Sequence, residues 1–182
     1  MSGGVASAPI RPRPDDVLLY YERCRVALAA LRNEAVIKSI SATGGGPFFG
    51  FTAIEYEAAL SGMLNELNDQ VTLALVASFE ASFRIDFERR IRRRLKDNAS
   101  REFRTIARKY GQRVGFKDIL DVWKKVTGRS AMFGRLMQLL NYRDWLAHGR
   151  YWVHKTGRNF DPFDAWQIGQ DVFAQLPADF SA

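Results

Sequence analysis

Between Asp69 and Lys96 the apolar residues Leu73, Val76, Phe79, Phe83, Phe87 and Ile91 recur every three or four positions. That spacing lays them along one side of an α-helix. The same period returns in most of the chain. No stretch shows strand alternation bounded by turns, apart from a short piece at Tyr151 to His154. The fold class expected is therefore all-α, a bundle of six or seven helices with short loops. At 182 residues, 47% of them hydrophobic, there is material for a core and a length typical of one domain. No apolar run reaches about 18 residues, and the N-terminus lacks the apolar core of a secretory signal. A cytoplasmic protein with no membrane partner is expected.

The helices can be placed from their caps and breakers. Met1 to Pro14 reads as a disordered leader, and residues 15–182 as a single domain. Asp15 and Asp16 start a helix whose stripe is Val17, Tyr21, Cys24, Leu28, Leu31 and Ala35. The lone Cys24 on that stripe reads as small apolar filler. Thr43 to Pro47 is a Gly-rich connector; it lacks the preceding strand and the Gly-Lys-Ser/Thr of a phosphate loop. Thr52 caps a second helix ending near Asn68, and a third runs from Asp69 to about Lys96. A short helix opens at Asn98 or Ser100, and another covers Phe116 to Val126 before Gly128. Ser130 caps the next, from Ala131 to about Trp152. Asp161-Pro162 opens the last, which ends near Leu176.

Charge is concentrated. Residues 81–130 hold 16 Lys/Arg against 6 Asp/Glu, whereas the rest of the chain holds 11 against 14. At about 100° per residue, Arg89, Arg90, Arg92, Arg93 and Arg94 point all round their helix. Such a helix end is expected to project into solvent or lie against a polyanion. Arg89, Arg90, Arg93, Arg94, Arg101 and Arg104 are the candidate RNA contacts. The alternative is a solvated face paired with Asp86, Glu88 and Asp97. Phe103, Tyr110 and Phe116 have helical spacing and read as core rather than as base-stacking platforms.

One segment carries charge where apolar residues belong. On a helical wheel, Arg143 falls between Met132 and Leu136, and Asp144 between Phe133 and Met137. His148 lies at the edge of the same arc, one turn beyond Asp144. Charges on the inner side of a helix cost several kcal/mol unless satisfied. These residues therefore either pair structurally or line a site. Asp144 can hold Arg143. Glu80, on the apolar stripe between Phe87 and Leu73, can meet Arg143 or pair with Arg84 four residues on. His154 reads as a surface histidine.

The run Arg143-Asp144-Trp145-Leu146-Ala147-His148, with its apolar lead-in Leu136 to Leu140, resembles the R-x4-H signature of HEPN domains. The Leu75 to Glu80 stretch is similar to the earlier HEPN helix that often carries an acidic residue. The likeness covers roughly residues 50–176, with the basic segment 89–125 as an insertion. Asp144 stands where the family commonly has Asn or His. The toxin subgroup that pairs with a nucleotidyltransferase antitoxin often has His-x-Tyr, whereas here Tyr151 is the third residue after His148.

The resemblance implies a metal-independent endoribonuclease, without cofactor, acting as a homodimer with its two motifs facing each other. It also implies a toxin or phage-defence role, with an antitoxin or other defence-system partner. The chemistry of the residue types agrees. RNA supplies its own nucleophile in the 2′-hydroxyl, histidine titrates in the range needed to move that proton, and arginine presents a fork of donors to phosphate oxygens. Arg143 and His148 are the expected catalytic pair, with Asp144 orienting the imidazole and Glu80 as a further site residue. The products expected are a 2′,3′-cyclic phosphate and a 5′-hydroxyl. On one helix Arg143 and His148 stand about 140° apart, so a second copy is needed to gather both around one phosphate. A non-catalytic helical RNA-binding or adaptor protein is the alternative reading.

Overall fold

A computed structural model describes residues 13–33, 46–149 and 159–180, and these contain six α-helices and no strand. We number them α1 (Pro14–Leu31), α2 (Ala53–Arg92), α3 (Asn98–Tyr110), α4 (Phe116–Thr127), α5 (Ser130–Ala147) and α6 (Pro162–Phe173). The expected all-α bundle is what forms. The leader up to residue 12, the Thr43–Gly45 part of the connector, Tyr151 to His154 and Ala35 lie outside the described residues.

The axis of the bundle is α2, one continuous helix of 40 residues in contact with each of the other five. It replaces the two helices expected to meet at Asn68–Asp69. Asp69 does not act as a cap, because both side chains at this point serve neighbouring helices. The Tyr21 hydroxyl donates to Asn68 Oδ1 at 2.7 Å and the Tyr142 hydroxyl to Asp69 Oδ1 at 3.3 Å. With neither Gly nor Pro at the junction, nothing ends the helix there.

Thr52 opens α2 as expected. Its backbone N–H donates to Glu55 Oε2 at 2.8 Å, and its side-chain oxygen accepts from Glu55 N at 3.3 Å. Hydrogen bonds from Thr52 hold the Glu55 carboxyl below the usual range. At the far end Arg93 is the C-cap, and Arg94 takes the left-handed position (φ 50°) that glycine usually fills. Leu95 N donates to Arg90 O at 3.2 Å and Arg94 N to Ile91 O at 3.1 Å, a Schellman closure that turns the chain back along α2.

The remaining boundaries depart from expectation by a residue or a turn. Asp97, rather than Asn98 or Ser100, caps α3 by accepting from Ser100 N at 2.9 Å. Ser130 is the first residue of α5 and not its cap. Asp161 caps α6 with Pro162 behind it, as the sequence indicates, but α6 ends at Phe173 and not near Leu176. Above all, α5 ends at Ala147, not at Trp152; His148 is its C-cap and Gly149 is left-handed (φ 81°).

The core lies between α2 and the helices that surround it. Phe79, Phe83, Phe103, Ile119, Leu120, Trp123, Phe133 and Leu139 are fully buried. Phe103 and Phe116 are core as expected, whereas Tyr110 is exposed with Lys109 Nζ over its ring at 4.7 Å. The segment read as a basic insertion is no appendage, because α3 and α4 supply Phe103, Ile119, Leu120 and Trp123 to this core.

At Gly169 on α6 the backbone lies against the Phe79 ring. A Cβ there would sit 2.1 Å from Phe79 Cζ. Gly→Ala inside a helix ordinarily stabilises by up to about 1 kcal/mol. Here the sign should reverse, with Gly169→Ala costing about 1–3 kcal/mol because the ring at the centre of the core has to move. Urea unfolding measures it, and an unchanged or raised midpoint would contradict the packing at this position.

Candidate functional site

Arg143 sits in the last turn of α5 and reaches α2. Its Nη2 lies 3.1 Å from Glu80 Oε2. Glu80 is shared, because Arg84 Nη2 approaches Oε1 at 2.7 Å. Both contacts considered for Glu80 are therefore present. Arg84 is anchored in turn by donating to Val114 O at 3.3 Å.

Asp144 lies beside Arg143 with its Oδ1 3.2 Å from Arg143 Nε. The distance is that of an ion pair, yet Nε–H makes no hydrogen bond, so the attraction is of charge without alignment. Asp144 Oδ2 is 3.7 Å from Lys117 Nζ, which itself donates to Asn141 Oδ1 at 3.0 Å. The expected inward placement of Asp144 is not seen. Its side chain is 42% exposed, since the edge of the apolar arc faces α4 and solvent rather than the core.

His148, the C-cap of α5, is exposed, and its backbone N–H donates to Asp144 O at 3.1 Å. The cluster on α2, α4 and α5 thus gathers three cations, Arg84, Lys117 and Arg143, against two carboxylates, Glu80 and Asp144. It keeps one positive charge in excess, with Arg143 about a quarter exposed (27%). Such an arrangement can accept a phosphodiester. The Asp144 carboxylate engages Arg143 and Lys117.

The basic segment divides into two populations. Arg90, expected at the RNA surface, is 1% exposed and belongs to the core. Its guanidinium meets Asp86 Oδ2 at 2.7 Å, Asp179 Oδ1 at 2.9 Å and Asp97 Oδ1 at 3.1 Å, and lies 5.0 Å from the Trp123 ring centre. Burial alone would depress its pKa, but the hydrogen bonds and charges of Asp179 and Asp86 outweigh burial and raise it. Asp97 is held low: burial works upward, and the Ser100 hydrogen bonds with the Arg90 charge overcome it.

Arg89 is also committed, to Asp86 Oδ1 at 2.7 Å and to the carbonyl of Asp179. Arg104 donates to Leu95 O at 2.6 Å and is half-buried. Arg93, Arg94 and Arg101 are exposed, together with Arg92, Lys96, Arg108, Lys109 and Arg113. The accessible basic face is therefore the Schellman turn and the outer side of α3. Lys117, absent from the expected site, is brought to Asp144 by the packing of α4 on α5, whereas Arg84 reaches Glu80 along α2 from four residues on, as the sequence allows. No local sequence signal marks Lys117, which comes 27 residues before Asp144.

Among the described residues no three His, Cys, Asp or Glu side chains converge as metal ligands, and no helix is long and apolar enough to cross a membrane. His154 lies outside the described residues. No protein-family model, curated protein or solved structure matches this chain.

Proposed function

We propose that the chain is a metal-independent endoribonuclease of the HEPN type that cleaves RNA by attack of its own 2′-hydroxyl. The observation that carries this reading is the net-positive cluster around the half-buried Arg143, five residues before an exposed histidine at the helix end. Arg143, oriented by Glu80, presents its remaining donors to the phosphate, and His148 moves the proton. Because these two side chains leave α5 about 140° apart, the working unit is a homodimer in which two copies of the motif share one groove. A cytoplasmic toxin or phage-defence effector with an antitoxin or defence-system partner is the setting that the resemblance supplies. The test is incubation of labelled tRNA and mRNA with the wild type and with His148→Ala, the products being 2′,3′-cyclic phosphate ends.

A second reading is favoured by one feature: both carboxylates near Arg143 already engage it. A helical RNA-binding or adaptor protein would use the same fold with these ion pairs as struts, and would bind RNA without cutting it.

Either reading uses the exposed arginines. RNA affinity should fall steeply with salt as neutralised phosphates release counterions. Replacing Arg93, Arg94 and Arg101 by Gln should flatten the log-affinity against log-salt slope by about 2–3 units, at roughly 0.7–0.9 per contact. Titration by fluorescence anisotropy at several salt concentrations measures the slope. An unchanged slope would mean that these arginines form a solvated face only.

A further inference from the structure

The Asp144 carboxylate bridges two cations and makes a hydrogen bond to neither. Its Oδ1 is 3.2 Å from Arg143 Nε, whose N–H is out of line, and its Oδ2 is 3.7 Å from Lys117 Nζ, too far for a hydrogen bond. Both cations are positioned by other partners. Arg143 is held from α2 by Glu80, through Nη2 at 3.1 Å, and Lys117 donates to Asn141 Oδ1 at 3.0 Å. The polar tie between α4 and α5 is therefore the Lys117–Asn141 hydrogen bond, and the carboxylate is not needed as a strut. Exposed ion pairs without aligned hydrogen bonds contribute little to stability, so Asp144 can turn out into solvent at small cost.

Arg143 Nε supplies an independent observation. It is buried, and its N–H has no acceptor among the described residues. Such donors are uncommon, because a buried donor left unmade keeps the cost of its lost hydration. Glu80 satisfies the far end of the guanidinium. On the near side the fork is incomplete, and an in-line acceptor beside Nε would complete it.

We infer that the space between Arg143 Nε and Lys117 Nζ is the seat of an RNA phosphate, and that Asp144 is its built-in occupant, a carboxylate that the phosphodiester displaces. This rests on the reading of the cluster as the place that receives RNA. The two anions match in kind. Each presents a pair of oxygens at nearly the same spacing, so cations arranged about one fit the other. They differ in freedom. Asp144 is short and tied to the backbone beside Arg143, which keeps its oxygen out of line with Nε–H. A phosphodiester has no such tether and can align with Nε and with Lys117 Nζ together.

Charge and position support the exchange. With Asp144 turned out, the seat has three cations, Arg84, Lys117 and Arg143, against the single carboxylate of Glu80. His148 follows Asp144 by four residues, one turn on and on the same side of α5. A phosphate in the place of the Asp144 carboxylate is thus brought to the end of the helix that carries the histidine. Asp144 acts here as an internal competitor that holds RNA affinity down, and Lys117 as the second cation of the seat.

A 2′-O-methyl RNA strand, which has no free 2′-hydroxyl and cannot be cut, measures the seat apart from cleavage. Its affinity is read by fluorescence anisotropy at fixed salt. Asp144→Asn keeps the shape of the side chain, removes its charge and should tighten binding at least about threefold. Glu22→Gln makes the same change in net charge at an exposed position of α1, which carries none of the cluster. It should leave affinity within about 1.5-fold of the wild type. Lys117→Gln should weaken binding, and weaken it more when Asp144 is also replaced by Asn, because the phosphate then meets Lys117 without a competitor. In ¹H–¹⁵N spectra the Arg143 Nε–H signal, assigned by its loss in Arg143→Lys, should shift when the strand binds. On cleavable RNA, Asp144→Asn should lower KM about threefold and keep kcat within about twofold. An orienter of His148 would show the reverse, a lower kcat with binding unchanged.

Asp144→Asn that binds no more tightly than Glu22→Gln overturns the seat, as does an Arg143 Nε–H signal that stays in place or a fall in kcat at constant KM. RNA left uncut by the wild type, with the 2′-O-methyl strand behaving as stated, would remove the nuclease reading and leave the seat standing. RNA that is cut, with no gain in affinity from Asp144→Asn, would do the opposite. A strand that does not bind at all removes both.

Discussion

Replacing His148 with alanine should lower RNA cleavage by at least about 100-fold, the contribution of one general acid–base group. The position is exposed at the end of α5, so the helix and the core it covers are untouched and the variant should fold as the wild type does. Arg143→Ala should reduce cleavage by a similar factor through loss of a phosphate donor. That variant also frees Glu80, which keeps Arg84 as a partner at 2.7 Å, so its stability should fall only modestly. Arg143→Lys separates the two effects: it keeps the charge beside Glu80 but loses the planar fork, so stability should return and activity should not. Activity should survive EDTA, and a 2′-deoxy sugar at the cleaved position should block it. Cleavage of the deoxy substrate, or strict dependence on added Mg²⁺, would end this mechanism. Full activity in folded His148→Ala would leave the RNA-binding reading in its place.

What could be read from the sequence was what depends on period and caps. The stripe through Phe79 and Phe83, the cap at Thr52, the stop at Gly128 and the Asp161-Pro162 start all follow from local rules and all appear in the structure. The contact between Glu80 and Arg143 was legible for the same reason, since each interrupts an apolar side that has to meet another helix. The unbroken α2 was not, because Asn68 and Asp69 have the side chains of a helix break and tyrosines distant in the chain give them other work. The end of α5 at Ala147 was also missed. Apolar spacing continues through Tyr151 and Trp152, and a left-handed Gly149 outweighs it. Arg90 was misplaced by reading five arginines as one cluster. A finer signal was present: Phe79, Phe83, Asp86 and Arg90 follow spacings of four, three and four, which puts Asp86 and Arg90 on the core stripe together. The partners that neutralise them, Asp97 and Asp179, come from two other parts of the chain and could be seen only once folded.

That burial makes Arg90 the position where one substitution should cost most stability while sparing RNA contact. Its side chain is 1% exposed and that of Asp86 0%. Arg90→Met removes the cation that Asp86, Asp97 and Asp179 share and takes from the buried Asp86 carboxylate the guanidinium at its Oδ2, while Arg89 stays at Oδ1. Breaking a buried pair in this way costs about 3–5 kcal/mol, because a desolvated charge is left behind. In a chain of this size the melting temperature should drop by roughly 6–20 °C. Removing both charges tells the cause apart from simple loss of packing. Asp86→Leu with Arg90→Met should be more stable than Arg90→Met alone, since no buried carboxylate that has lost its Arg90 partner remains in the core. The salt dependence of RNA binding should be the same in Arg90→Met as in the wild type, measured below the lowered melting temperature. A loss under about 1 kcal/mol would return Arg90 to the surface, a flattened salt slope would return it to the RNA, and either would contradict its place in the core.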